Sequence, residues 1–178
     1  MFAPYRVLGW WLAILLLEGL ALARAAEERP VFRIGTVTQP ISASLILADQ
    51  DGSFQRQGLR VKLVFFETGR DALEAMLNGQ LEMAGCAETP IALKVLEGGR
   101  FKIIASIDSN VFSLTLLGRK DRIESTAGIR GKRLGLTRGT NAEFFFESLR
   151  VLHRIRPEEV ALVDLGPQQL NEALASGA

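Results

Sequence analysis

Short apolar runs in this chain are separated, again and again, by stretches punctuated like helices. That alternation restricts the fold more than any other feature. Phe32–Val37, Leu59–Glu67, Leu81–Gly85, Phe101–Ile107, Val111–Leu117, Leu134–Leu136 and Val160–Leu165 read as strands. Helical stretches at Ser44–Asp49, Ala72–Leu77, Pro90–Leu96, Thr140–His153 and Gln168–Ser176 fall between or after them. A strand followed by a helix and then another strand returns parallel to itself, so the order implies an α/β fold with a parallel sheet and helices on both faces.

The punctuation supports that reading. Ser42 stands where it can cap the first helix, whose Leu45, Ile46 and Ala48 face inward. Leu59, Val61 and Leu63 alternate onto one side of their strand. Asn78-Gly79 and Gly98-Gly99 are helix stops, and Pro90 suits a first helical position. The richest stretch is Gly131–Glu147. Leu134 and Leu136 make a short strand, Arg138-Gly139 breaks it, and Thr140 opens a helix with Glu143 at the spacing of a capping box. Such a cap is worth about 1 kcal/mol. Backbone N–H groups at the start of that helix converge at the positive end of its dipole, which suits an anion or the polar edge of a ligand. An ordinary strand-to-helix turn with a good cap has the same sequence. A nucleotide-type phosphate loop is excluded, because no GxxxxGK[ST] is present.

Ligands of open parallel sheets bind beyond the carboxyl ends of the strands. Here those ends are Thr38–Ser42, Thr68–Asp71, Cys86–Thr89, Asp108–Asn110 and Thr137–Asn141. Nearly all are rich in Ser, Thr, Asn, Gln and Gly. Turns favour these residues anyway, but five such loops along one edge are better evidence for a polar pocket than any one alone.

The first residues read differently. Met1–Arg6 carries one positive charge, Val7–Ala23 is apolar except for Glu18, and Ala23-Arg24-Ala25 is a small-x-small cleavage pattern. Residues 1–25 are therefore expected to be a signal peptide, removed before Ala26; Glu18 also leaves open an uncleaved anchor. A formal net charge of +1 gives no basic face for nucleic acid. Cys86 is the sole cysteine, so neither an internal disulfide nor a lipid-anchor cysteine at the cleavage site is available. With one cysteine and one histidine, His153, the chain holds no zinc spacing and no nucleophilic catalytic set. No catalytic residue, metal or cofactor is expected. His153 reads as a cation at a helix C-terminus, and Cys86 as a small residue closing a strand.

The pattern Leu47-Ala48-x-x-x-Gly52-x-Phe54-x-x-x-Gly58-Leu59-x-Val61 is followed by Ala75-x-Leu77-x-Gly79 and Ala84-Gly85. Further on come Ile129-Arg130-Gly131-Lys132, Leu134-Gly135, Gly139-Thr140 and Ala173-Leu174-x-x-Gly177. Taken together they resemble the periplasmic solute-binding proteins of the nitrate/sulfonate/taurine/thiamine-precursor transport family. The resemblance covers essentially all of the chain after the leader.

The resemblance implies a type II periplasmic-binding-protein-like fold of two Rossmann-like lobes joined by a hinge. The first lobe would span residues 26–113 and the second would begin at 114–178 and be incomplete, with the crossing near Asp108–Ser113. A small, possibly anionic solute would be trapped between the lobes and delivered to an ABC permease in the inner membrane by a monomeric periplasmic protein. Matching the family's ligand-facing loops by position gives Gln39, Ser42, Cys86, Glu88, Thr89, Ser109, Asn110, Gly139, Thr140 and Asn141. The chain departs from the family in two ways. It ends inside the second lobe, as a fragment or a truncated product would. Its loop Thr68–Asp71 carries Arg70-Asp71 where small residues are usual, and Arg70 reads as pairing with Asp71 or Glu74 at the surface rather than meeting an anion. Two other roles belong to the same fold: an extracytoplasmic sensor domain of a membrane-bound signalling protein, and a thiamine-pyrimidine synthase, whose cysteine- and histidine-rich motifs are absent here.

Overall fold

Among the described residues every strand pair is parallel, as strands of one sheet joined by helical crossovers are. The structure is a computed structural model that describes residues 30–109 and 114–177. It holds two sheets. The first has β1 (Val31–Val37), β2 (Arg60–Phe66) and β3 (Met83–Ala84) in the order β2-β1-β3. The second pairs β4 (Lys132–Leu136) with β5 (Val160–Asp164). The helices are α1 (Ala43–Gln50), α2 (Ser53–Arg56), α3 (Gly69–Leu77), α4 (Glu88–Leu96), α5 (Asn141–Leu152) and α6 (Pro167–Ser176). No helix among the described residues is long and apolar enough to cross a membrane. The expected leader, residues 1–25, lies outside the described residues.

β1 is the central strand of the first sheet. It is buried over its second half, from Ile34 to Val37, because α3 packs there. Ala72, Leu73 and Ala75 form the inward face of α3. Burying a side chain such as Leu73 contributes about 1.5–3 kcal/mol. The helix approaches so closely that β1 needs a glycine. A Cβ at Gly35 would lie 2.6 Å from Leu81 Cδ1 and 3.1 Å from Ala72 Cβ.

The second sheet has its own core of Ile129, Leu136, Phe146, Ile155 and Val160. Of the three consecutive phenylalanines of α5, Phe146 is buried, Phe145 is partly buried and Phe144 is 64% exposed. Consecutive helical residues point about 100° apart, so the run cannot share one face.

Several expectations need correcting. Phe101–Ile107 is not a strand, nor is Leu114–Leu117, the described part of the run expected at Val111–Leu117. Their composition favours strands, but a strand exists only with a partner for its ladder. Among the described residues neither run has one, and Ile103 and Ile104 stay about 70% exposed. The strand expected at Leu81–Gly85 shrinks to Met83–Ala84, the two positions facing Ile34 and Gly35. α4 starts at Glu88, two residues before Pro90; proline is tolerated anywhere in the first turn, where the N–H has no intrahelical partner.

Candidate functional site

The carboxyl ends of the two sheets face each other, and the loops that leave them touch at three points. Beyond β2, the Glu67 carboxylate lies against Gly166, the residue before α6; a Cβ there would be 2.6 Å from Glu67 Oε1. Next along, Arg70 Nη1 donates to the main-chain carbonyl of Arg138. At the start of α4, the Thr89 N–H donates to Asn141 Oδ1 over 3.3 Å.

Each loop is fixed before it meets its neighbour. Thr68 caps α3, its Oγ1 accepting the Asp71 N–H at 3.1 Å. The same hydroxyl donates to Asp71 Oδ2 at 2.7 Å. Asp71 Oδ1 in turn receives Nε and Nη2 of Arg70 at 3.3 and 3.2 Å. This chain of bonds aims the guanidinium at the other sheet. The surface pairing expected of Arg70 with Asp71 is present; the contact across to Arg138 corrects the reading of Arg70 as a surface residue only.

On the opposite side, Thr137 Oγ1 donates to the Leu165 carbonyl at 2.7 Å and the Arg138 N–H to Asp164 Oδ1 at 3.0 Å, tying the end of β4 to the end of β5. Gly139 then turns the chain at φ +69°, a conformation that favours glycine, and a Cβ there would also press on Arg70 Cδ at 3.0 Å. Thr140 caps α5 as its sequence predicts: its Oγ1 accepts the Ala142 N–H at 3.3 Å and donates to the Thr137 carbonyl at 2.7 Å. The expected reciprocal half of the box shifts by one residue. Glu143 reaches past Thr140 to the Gly139 N–H at 2.8 Å.

The ten residues expected at the site separate clearly. Thr89, Gly139, Thr140 and Asn141 come together where the sheets meet. Gln39 and Glu88 are exposed at the ends of β1 and β3. Ser109 is exposed beyond the first sheet, and Asn110 lies outside the described residues. Ser42 makes no side-chain cap for α1; it is buried, 2% exposed, and its hydroxyl accepts from Thr36 at 2.7 Å. Thr36 is itself fully buried, and its hydroxyl must find a partner. Cys86 packs against Gly69, where a Cβ would lie 2.9 Å from its Cα. Burial pushes its thiol up to about 11, so it stays protonated near neutral pH and is a poor nucleophile. Glu67 and Gly166 are residues the sequence did not offer, and Arg70 is one it offered only with a surface role. The charged pair in the loop after β2 was the one signal for Arg70. A concavity on the outer face of α5, lined by Glu147, Ser148, Val151 and Leu152, lies away from these loops.

Comparison with known proteins follows the same outline. A protein of Bacillus subtilis (strain 168) named "Putative aliphatic sulfonates-binding protein" is 24% identical over 150 residues, which are 82% of this chain and 45% of that protein. A Haemophilus influenzae protein named "Putative thiamine biosynthesis protein" is 25% identical over 118 residues, 65% of this chain and 37% of that one. Among solved structures, the alkanesulfonate-binding protein SsuA of Xanthomonas axonopodis pv. citri bound to MOPS superposes with a TM-score of 0.63 at 22% identity, over 84% of this chain and 52% of that chain. The chain thus spans about half the length, or less, of the relatives it matches. The likeness to SsuA establishes the fold: α/β, with the parallel sheets of a periplasmic binding protein. The family model described as NMT1/THI5 like matches residues 39–178, and by that match the chain belongs to the NMT1/THI5-like family.

Proposed function

We propose that this chain is part of the solute-binding component of an ABC-type importer, and that it captures a small oxyanionic solute, a sulfonate in the first instance, between the carboxyl ends of its two sheets. The observation that carries the reading is the meeting of the loops after β2, β3 and β4 through Arg70, Thr89 and Asn141. In parallel α/β folds that edge is where ligands sit. The loops belong to two separate sheets, so a solute between them would draw two bodies together by hinge motion. The segment between β3 and β4 is the place for the hinge, with residues 26–113 and 114–178 as the two lobes.

The relatives favour a sulfonate. One is named for aliphatic sulfonates, and the SsuA structure holds MOPS, itself a sulfonate. Capture rather than catalysis fits a site whose one thiol is kept protonated by burial. Delivery to a membrane permease, a periplasmic location reached through the leader, and action as a monomer complete the reading.

Titration calorimetry of the purified chain against ethanesulfonate, taurine, nitrate, bicarbonate and a neutral aminopyrimidine tests it, in a buffer free of sulfonates. Saturable binding of a sulfonate is the expected result. Binding of the pyrimidine alone would move the assignment to the thiamine-precursor branch, and binding of none would remove the capture site from this chain.

A further inference from the structure

Arg70 is anchored on one sheet and bonded to the other. Its Nε and Nη2 are held by Asp71, and Asp71 is held in turn by Thr68. Its Nη1 spans the gap to the Arg138 carbonyl, and its aliphatic stem lies against Gly139. One N–H on each terminal nitrogen is left without an acceptor among the described residues. The guanidinium is therefore oriented, partly shielded and only partly used, and the acceptor it uses across the gap is a neutral carbonyl.

We propose that Arg70 is an exchangeable latch between the two sheets, and that it selects solutes with an anionic oxygen: the solute takes the place of the Arg138 carbonyl as acceptor for Nη1. This rests on the capture reading above and adds to it the residue that reads the anionic oxygen. A neutral solute carbonyl offers the guanidinium nothing that the Arg138 carbonyl does not, so nothing drives the exchange. An anionic oxygen does, because it adds the attraction of opposite charges to a bond in which only the donor was charged. A group with two or more charge-bearing oxygens, such as sulfonate or carboxylate, can also take the unused N–H, which a lysine could not offer in the same fork. Gly139 keeps the approach open, since any side chain there would press on Arg70.

The test pairs ethanesulfonate with ethanesulfonamide, its neutral counterpart of nearly equal size. The purified chain is expected to prefer the sulfonate. Arg70→Ala is expected to weaken sulfonate binding by about 10–100-fold, the loss of an interaction with a charged group, and to leave sulfonamide binding within about threefold, erasing the preference. Arg70→Gln, neutral and of similar length, serves if the alanine variant is poorly folded and should behave alike. Arg122→Ala removes the same charge from an exposed position and should keep the preference. A preference that survives both Arg70 variants overturns the latch while leaving the capture reading in place. Equal binding of both probes by the unmodified chain overturns the latch alone; absent binding of both overturns the capture reading, and the latch with it.

Discussion

The main-chain N–H of Thr89 and the side-chain oxygen of Asn141 are 3.3 Å apart, which joins the first turn of α4 to the first residue of α5. Fifty-two residues of chain separate them. Asn141 therefore does two things at once: it starts the helix that Thr140 caps, and it satisfies a donor of a helix belonging to the other sheet.

Replacing Asn141 by alanine leaves the Thr89 N–H unpaired in a half-buried setting. A loss of about 0.5–1.5 kcal/mol is expected, seen as a lower urea midpoint with an unchanged slope. Asn141→Asp keeps the acceptor and adds a negative charge at the favourable end of α5, so it should recover most of the loss. If the alanine variant is as stable as the parent chain, the contact carries no weight.

The pH dependence of stability should show the Arg33–Glu82 pair. Arg33 grips Glu82 through two side-chain nitrogens, Nη2 at 2.6 Å and Nε at 3.1 Å, and through its main-chain N–H at 2.6 Å. The side-chain bonds first, and the main-chain N–H second, pull the carboxyl down to about 2. A carboxylate whose folded value lies below its unfolded value of about 4.3 contributes stability that is present above the unfolded value. That contribution is lost as the pH falls through the folded value. The urea midpoint of the chain should drop between about pH 4.5 and pH 2 more steeply than that of Glu82→Gln. Parallel pH profiles would contradict this.

Arg154 is the non-glycine residue with a positive φ among the described residues, at +51°. It follows α5 where a glycine is usual, and its Cβ crowds the neighbouring carbonyl. Its side chain is exposed, and Arg130 reaches only its main-chain carbonyl, which glycine would retain. Relief of the strain outweighs the added freedom of the unfolded chain. Arg154→Gly should therefore raise stability by about 0.5 kcal/mol, a Tm increase of about 1–2 °C. A lower Tm would mean that the arginine side chain contributes more than its backbone costs.

Cys86 offers a kinetic check on burial. With its thiol pushed up to about 11, the reactive thiolate is scarce at pH 8. Labelling by an aromatic disulfide should be about 100-fold slower in the folded chain than in urea. Equal rates would mean that the end of β3 is open to solvent.

Local signals carried well into the structure. β1, β2, β4 and β5 lie within a residue or two of where apolar runs and turn residues place them, because those runs also find neighbours. Thr140 caps α5 because an N-cap depends on residues within one helical turn. Where the reading failed, the deciding partner was far away in sequence. Ser42 had the right neighbours to cap α1, but a buried Thr36 hydroxyl claimed it. Phe101–Ile107 has strand composition and, among the described residues, no strand to join. Arg70 announced its bond to Asp71, the next residue. Its reach to Arg138 depends on how two sheets face each other, which no local pattern encodes.

Among the described residues the sheets share no strand. The pairs of one lie within residues 31–84 and those of the other within 132–164. A parallel sheet cannot form until its crossover has been made, and long crossovers are slow to close. Here each crossover is made by one or two short helices, and each sheet can close without waiting for the other. As the chain leaves the ribosome, the first sheet is free to fold while the second is still being made. A nick between them would then release two pieces, each still holding its own hydrogen-bonded ladder, and what would be lost is the meeting of Arg70 and Thr89 with Arg138 and Asn141.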